Sequence, residues 1–325
     1  MTDQSKIDKR AAKPASLLER AEQAYGLDNL GAARVPGNLP QPKHRRVEPA
    51  PVAAPPPVAD PAPAAQESPA PVQQEPVQEP AVALSGPLKQ IDRSLLRAAG
   101  LIVPEDPVTG LLEEFRIVKR EIIAEARMSR DPKQRRILVC SPHQGEGKTY
   151  CAINLAIALA AERDVEVLLV DADVNRPTVA VRLGIDAEQG LMDALANPSL
   201  QPEKFACRTD IEGLFVLPAG SSSVRDAEYL ASARTGAVLD RLTRSAPDRY
   251  VIFDTPPALA ASPAAELAAH VGQAVLVVRA DETSRAAIED AQQLLSACPN
   301  LKLLLNATRF SASGRRFGDY GERIA

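Results

Sequence analysis

The sequence predicts an open, doubly wound α/β sheet, mostly parallel. Three observations predict it. From residue 136 onward, short apolar runs alternate with stretches rich in Ala and Leu, the βα order of a parallel sheet. The apolar runs are continuous rather than alternating, as in strands buried on both faces. Between the first run and the first helical stretch lies SPHQGEGKT (141–149), which gives the strand, glycine-containing loop and helix order that a phosphate-binding loop requires.

The elements follow in order. Residues 16–27 (SLLERAEQAYGL) put Leu17, Leu18, Ala21 and Ala24 near one face of a short helix, with Ser16 as its cap. With no local core to pack on, it reads either as a nascent helix or as a docking segment for a partner. Residues 1–34 are therefore a short amphipathic N-terminal segment. Residues 35–90 form a linker rich in Pro and Ala; about half of the 29 prolines lie between residues 35 and 80. Such a composition buries too little surface to offset chain entropy, so the linker is expected to be disordered. The P-loop domain is expected over 91–310, followed by a flexible tail, 311–325.

Within that domain, residues 91–99 predict a short helix. After the Pro104–Pro107 break, residues 111–130 carry a helical apolar stripe of Leu111, Phe115, Val118 and Ile122. The opposite face alternates charge through Glu113, Glu114, Arg116, Lys119, Arg120 and Glu121. That face reads as a solvated surface or as a self-association surface. Strands are expected at 137–140, 165–170, 214–217, 250–253, 274–278 and 301–305. Helices are expected at 150–161, 191–196, 233–244, 263–269 and 285–297. Ligands of such a sheet bind at the carboxyl ends of its strands.

Composition excludes several classes. The net charge is −4 and the pI about 5.6, and no basic block stands out, so nucleic acid is not expected as a partner. The four cysteines lack metal spacing; Cys140 and Cys151 flank the loop inside apolar runs, as small buried hydrophobes. No secretory signal and no run of 18 apolar residues is visible, which predicts a cytoplasmic protein held at any membrane by something else.

The chemistry gathers at three loops. Gly145 and Gly147 let the backbone bring its N–H groups to phosphate oxygens, and the next helix aims its positive end at the same anion. Lys148 can reach the β/γ-phosphates and Thr149 can ligate Mg²⁺. Pro142 stands where the usual pattern has its first Gly, so the loop is a variant. The second strand ends in LLVDADVNRP, with Asp171 and Asp173. The fourth ends in VIFDTPP, with Asp254. In a parallel sheet these ends share one rim with the loop. Carboxylates so close together need a cation, which Mg²⁺–nucleotide supplies.

GEGKT, DADVNRP and DTPP together resemble the phosphate-loop, second-Asp and third-Asp motifs of bacterial tyrosine kinases, autokinases that accompany exopolysaccharide synthesis. The resemblance runs over about 111–306 and takes in LPAG (217–220) and LLLN (303–306). SLLERA, the proline-rich linker and EEFRIVKRE look most like the subgroup from exosortase/PEP-CTERM exopolysaccharide loci, whose kinase is a cytoplasmic chain separate from its membrane partner. The resemblance implies ATP bound by Gln144, Gly145, Glu146, Gly147, Lys148, Thr149 and Tyr150. It implies Mg²⁺ near Thr149, Asp173 and Asp254. It also implies catalysis by Lys148, Asp171 and Asp173, either Asp serving as base, and Tyr320 as phosphoacceptor. It further implies an inner-membrane polysaccharide chain-length or export protein as activator, and a homo-oligomer built through the 111–130 helix. The family's ring motif, Glu-x-x-Arg-x-x-Arg, falls on Glu113, Arg116 and Lys119; Lys lacks the planar fork of Arg. Asn175 stands where the family usually has Arg, and the tail holds a single tyrosine.

The sequence thus points to an ATP-dependent protein-tyrosine autokinase. A nucleotide-binding scaffold without transfer is the alternative that Asn175 and the sparse tyrosines favour. A positioning ATPase is a third; such proteins carry an extra Lys where this chain has His143.

Overall fold

Runs that are apolar at every position make poor surface strands, and here five of the six become buried strands of one sheet, while the last, at 301–306, is an edge strand that leaves Leu303 and Leu305 exposed. The computed structural model describes residues 80–308, all within the unit Gln73–Ala325. In chain order the elements are β1 (Leu88–Lys89), α1 (Arg93–Ala98), α2 (Gly110–Met128), β2 (Arg136–Cys140), α3 (Lys148–Ala160), β3 (Glu166–Asp171), α4 (Val179–Leu183) and α5 (Leu191–Ala196). Then come β4 (Cys207–Thr209), β5 (Leu214–Leu217), α6 (Asp226–Ala231), α7 (Ala233–Thr243), β6 (Arg249–Asp254), α8 (Pro263–Ala268), β7 (Gln273–Arg279), α9 (Arg285–Leu294) and β8 (Leu301–Asn306). The strand order is β1-β4-β5-β3-β6-β2-β7-β8. Every pairing from β5 to β8 is parallel, while β4 runs antiparallel to β5.

The pleat divides the strand residues between two cores. Ile137, Val139, Val167, Leu169, Ile252 and Val275 face α2 and α3. Leu138, Cys140, Leu168, Val170, Phe253 and Leu276 face the layer that includes α5, α7 and α8. Helix α3 is apolar nearly all round because it is sandwiched between the sheet and α2. Its neighbours are started by side-chain caps. Asp92 accepts from Ser94 and Leu95 N–H to begin α1, and Thr109 accepts from Leu112 N–H to begin α2.

All six expected strands and the helices expected between residues 91 and 297 form, each within a few residues of its expected bounds. The differences have physical reasons. Strands β1 and β4 were not expected; at two and three residues they are too short to show periodicity and exist only by pairing with each other and with β5. The one-turn helices α4 and α6 escaped for the same reason. The linker expected to reach residue 90 ends sooner. Val82 O accepts from Arg249, Ser85 N donates to Glu203 O, and β1 pairs with β4, so these residues belong to the folded unit. No helix among the described residues is long and apolar enough to cross a membrane. The expected 16–27 helix and residues 309–325, Tyr320 included, lie outside the described residues.

Candidate functional site

The loop follows the end of β2 and closes where Lys148 opens α3. Gly145 and Gly147 have φ of 87° and 100°, the left-handed region that costs an ordinary residue roughly 1–2 kcal/mol. The two carboxylate-bearing strand ends lie beside it. Val139 pairs in register with Asp254, and Asp254 with Asp171. The rim expected from a parallel sheet therefore forms, and it brings together Lys148, Thr149, Asp171, Asp173 and Asp254.

Each of these side chains has a definite partner. Lys148 Nζ lies 2.7 Å from Asp173 Oδ2 and 3.8 Å from Asp254 Oδ1. Thr149 Oγ1 donates to Asp254 Oδ2 at 2.7 Å. Asp171 accepts from Val179 N–H at 2.9 Å and from Asp173 N–H at 3.2 Å, which fixes the turn that presents Asp173. Asp171 and Asp254 have no exposed surface, and Asp173 keeps only 5%.

Burial without enough positive charge raises carboxyl pKa values. It pushes Asp171 up to about 7, with the Asp254 charge adding to the effect. It pushes Asp254 up to about 6, against the pull of Lys148 and of the Thr149 hydroxyl. Asp254 Oδ1 is buried and has no hydrogen-bond partner. A hydroxyl, an orphaned carboxylate oxygen and an excess of acid over base make a donor set suited to a hard divalent cation.

Two expected ligands differ in what they offer. The Tyr150 side chain turns away from the loop, and its hydroxyl donates to Gly100 O at 2.9 Å, just past α1. Only its backbone N–H, in the first turn of α3, remains for the site. Gln144 is exposed on the loop's outer edge. Glu146, by contrast, is buried, and its carboxylate accepts from His143 N–H at 2.7 Å and from the Thr283 hydroxyl. Asn306 Nδ2 donates to Glu146 O at 2.8 Å, and an Arg279 guanidinium N–H donates to Gly145 O at 3.2 Å. Sequence reasoning missed Arg279 and Thr283 altogether. Asn306 stood inside LLLN, at the end of an apolar run like Asp171 and Asp254, and that position was the available signal.

The charged face of α2 is not all solvated. Glu113 and Arg116 pair with each other in a half-buried i,i+3 bridge. Lys119 is 6% exposed and turns inward, where Nζ donates to Ala158 O at 2.9 Å and pairs with Glu162 at 2.7 Å. It therefore sits at the C-terminal end of α3, where the helix dipole favours a cation. Both readings of that face, solvated or self-associating, put Lys119 on the outer surface, and the structure corrects this.

Comparison with known proteins places this geometry. Residues 134–308 match the AAA domain family. Tyrosine-protein kinase YwqD of Bacillus subtilis (strain 168) is 29% identical over 227 residues, covering 69% of this chain and 92% of that protein. The chimerical protein CapA2B2 has a crystal structure 26% identical in sequence, with a TM-score of 0.55 over 69% of this chain and 93% of that one.

The chain belongs to the bacterial tyrosine kinase family.

Within the family, lengths differ. The putative tyrosine-protein kinase EpsB of Ralstonia solanacearum is 31% identical over 252 residues, 75% of this chain but 32% of EpsB, so the chain spans about a third of that relative. The kinase domain of Escherichia coli tyrosine kinase ETK shares the fold, with a TM-score of 0.54 at 20% identity.

Proposed function

We propose that this bacterial tyrosine kinase family member is an ATP-dependent protein-tyrosine autokinase. The observation that carries the reading is the junction at Lys148, where one ammonium lies against Asp173 and within 4 Å of Asp254, directly before the Thr149–Asp254 hydrogen bond. Phosphoryl transfer needs mostly positioning and charge neutralisation. The loop N–H groups and Lys148 hold the β/γ-phosphates. Thr149 and Asp254, with Asp173, would hold Mg²⁺, which supplies charge neutralisation on the phosphate oxygens. Asp171 or Asp173 orients and deprotonates the tyrosine hydroxyl, whose pKa near 10 calls for a base. The acceptor is Tyr320 of a neighbouring copy.

The setting we propose is exopolysaccharide synthesis or export, in the exosortase/PEP-CTERM manner. The chain acts from the cytoplasm and is held at the inner membrane by a chain-length or export protein that activates it. Copies associate through the 111–130 helix, α2. The division into an N-terminal segment, a linker, a kinase domain and an acceptor tail belongs to the same reading.

The test is purified full-length chain incubated with Mg-ATP. Wild type gains phosphotyrosine and Lys148→Met gains none. A wild type that binds ATP and stays free of phosphate identifies the scaffold reading, which Asn175 favours. Sustained phosphate release without phosphotyrosine identifies a positioning ATPase.

A further inference from the structure

A phosphate-binding loop works only if its N–H groups face inward. A trans peptide unit is planar, with its C=O and N–H pointing in opposite directions. Fixing a loop carbonyl outward therefore turns the next N–H inward. Two carbonyls are fixed in this way. Gly145 O accepts from Arg279, which orients the Glu146 N–H, and Glu146 O accepts from Asn306 Nδ2, which orients the Gly147 N–H.

The donors are themselves held. Thr283 Oγ1 accepts from Arg279 N–H at 2.8 Å, so its single proton is free to point at Glu146 Oε1. Glu146 Oε2 takes the His143 N–H at 2.7 Å, which ties the front of the loop to its back. The Ala280 N–H donates to Asn306 O at 2.9 Å, which joins the ends of β7 and β8. Asn306 packs so tightly that a Cβ at position 147 would lie 2.0 Å from its Nδ2.

We propose that Glu146, Thr283 and Asn306 are positioning residues of the nucleotide site, acting through the loop backbone rather than by touching the phosphates. The inference rests on reading the loop as the nucleotide site. It gives Glu146 and Asn306 a role within their motifs and adds Thr283, which lies in none. A loop without this brace still carries Lys148 and Thr149, but its N–H groups must be ordered by the ligand itself. The loss then falls on nucleotide affinity more than on the transfer step.

The experiment compares an isosteric pair. Thr283→Val removes the hydroxyl and keeps the shape, while Thr283→Ser keeps the hydroxyl. Asn306→Ala removes the other contact. ADP binding is measured by calorimetry on the full chain, with circular dichroism as the check on folding. Thr283→Val and Asn306→Ala are expected to weaken ADP by about tenfold each, as for a hydrogen bond to a charged or buried polar group. Thr283→Ser stays within about twofold of wild type, and in turnover Thr283→Val and Asn306→Ala raise the KM for ATP more than they lower kcat. Wild-type ADP affinity in both Thr283→Val and Asn306→Ala overturns the positioning role and leaves the kinase reading intact. A wild type that binds ADP but transfers no phosphate overturns the kinase reading, while the binding comparison still decides the brace. A wild type that binds no ADP overturns both.

Discussion

Lys148 Nζ sits 2.7 Å from Asp173 Oδ2, so the loop's cation and a candidate base occupy each other. An ammonium held on one carboxylate oxygen competes with a phenol proton for it. Phosphate oxygens of a bound nucleotide compete for that ammonium, and their arrival frees Asp173. Asp171 differs in kind. Its pKa of about 7 suits a base at neutral pH, but it has no exposed surface and both of its oxygens hold backbone N–H groups.

The two aspartates therefore separate by mutation. Asp173→Asn is expected to lower the phosphotransfer rate by roughly 10²–10⁴-fold, the usual worth of a positioned base. Single-turnover rates across pH check this. If Asp173→Asn keeps most of the rate, and Asp171→Asn abolishes an inflection near pH 7 seen in wild type, Asp171 is the base.

Asp171 also makes stability depend on pH. An unfolded Asp releases its proton at about pH 4, whereas folded Asp171 does so only at about 7. Between those values the folded state binds the extra proton, so stability falls as pH rises through that window. The loss is on the order of a few kcal/mol for a group this buried. Urea unfolding in Mg²⁺-free buffer from pH 4 to 8 reads it directly. Asp171→Asn should reduce the slope, leaving the share from Asp254, whose carboxyl is pushed up to about 6, and an unchanged slope would show that other groups cause all of it.

Gly147→Ala is expected to abolish nucleotide binding while the sheet survives. The new Cβ meets Asn306 Nδ2 at 2.0 Å in a left-handed backbone with φ of 100°. Gly145→Ala meets no atom within 4 Å and carries only the backbone strain at φ 87°, so it should cost less. Calorimetry with ADP ranks the two, and the reverse order contradicts this account of the loop.

Cys140 and Cys151 should be inert in the native protein although they flank the site. Burial pushes both thiols up to about 12, leaving almost no thiolate at pH 8. Iodoacetamide followed by peptide mapping should modify them only after denaturation. Rapid native labelling at either would mean that the walls of the loop open.

The sheet was legible because its strands are continuous apolar runs, and the rim was legible because Asp171 and Asp254 each end one. Lys148 and Thr149 were legible from the loop itself. The brace was not. Arg279 ends β7 and Thr283 lies in the polar turn after it, which has no period, and their role exists only because β7 and β8 end beside the loop. Lys119 was read as surface because a lysine among charged neighbours on a helix normally is one; α3 ending beneath it is a tertiary fact. Strands β1 and β4 were invisible because pairing, not composition, makes them.

The most direct measurement is phosphosite mapping by mass spectrometry on full-length protein after incubation with Mg-ATP. It is run on wild type, Lys148→Met and Tyr320→Phe. The account predicts phosphotyrosine at residue 320 in wild type and none in Lys148→Met. A wild type that binds ATP yet carries no phosphotyrosine, or carries as much in Lys148→Met, contradicts it.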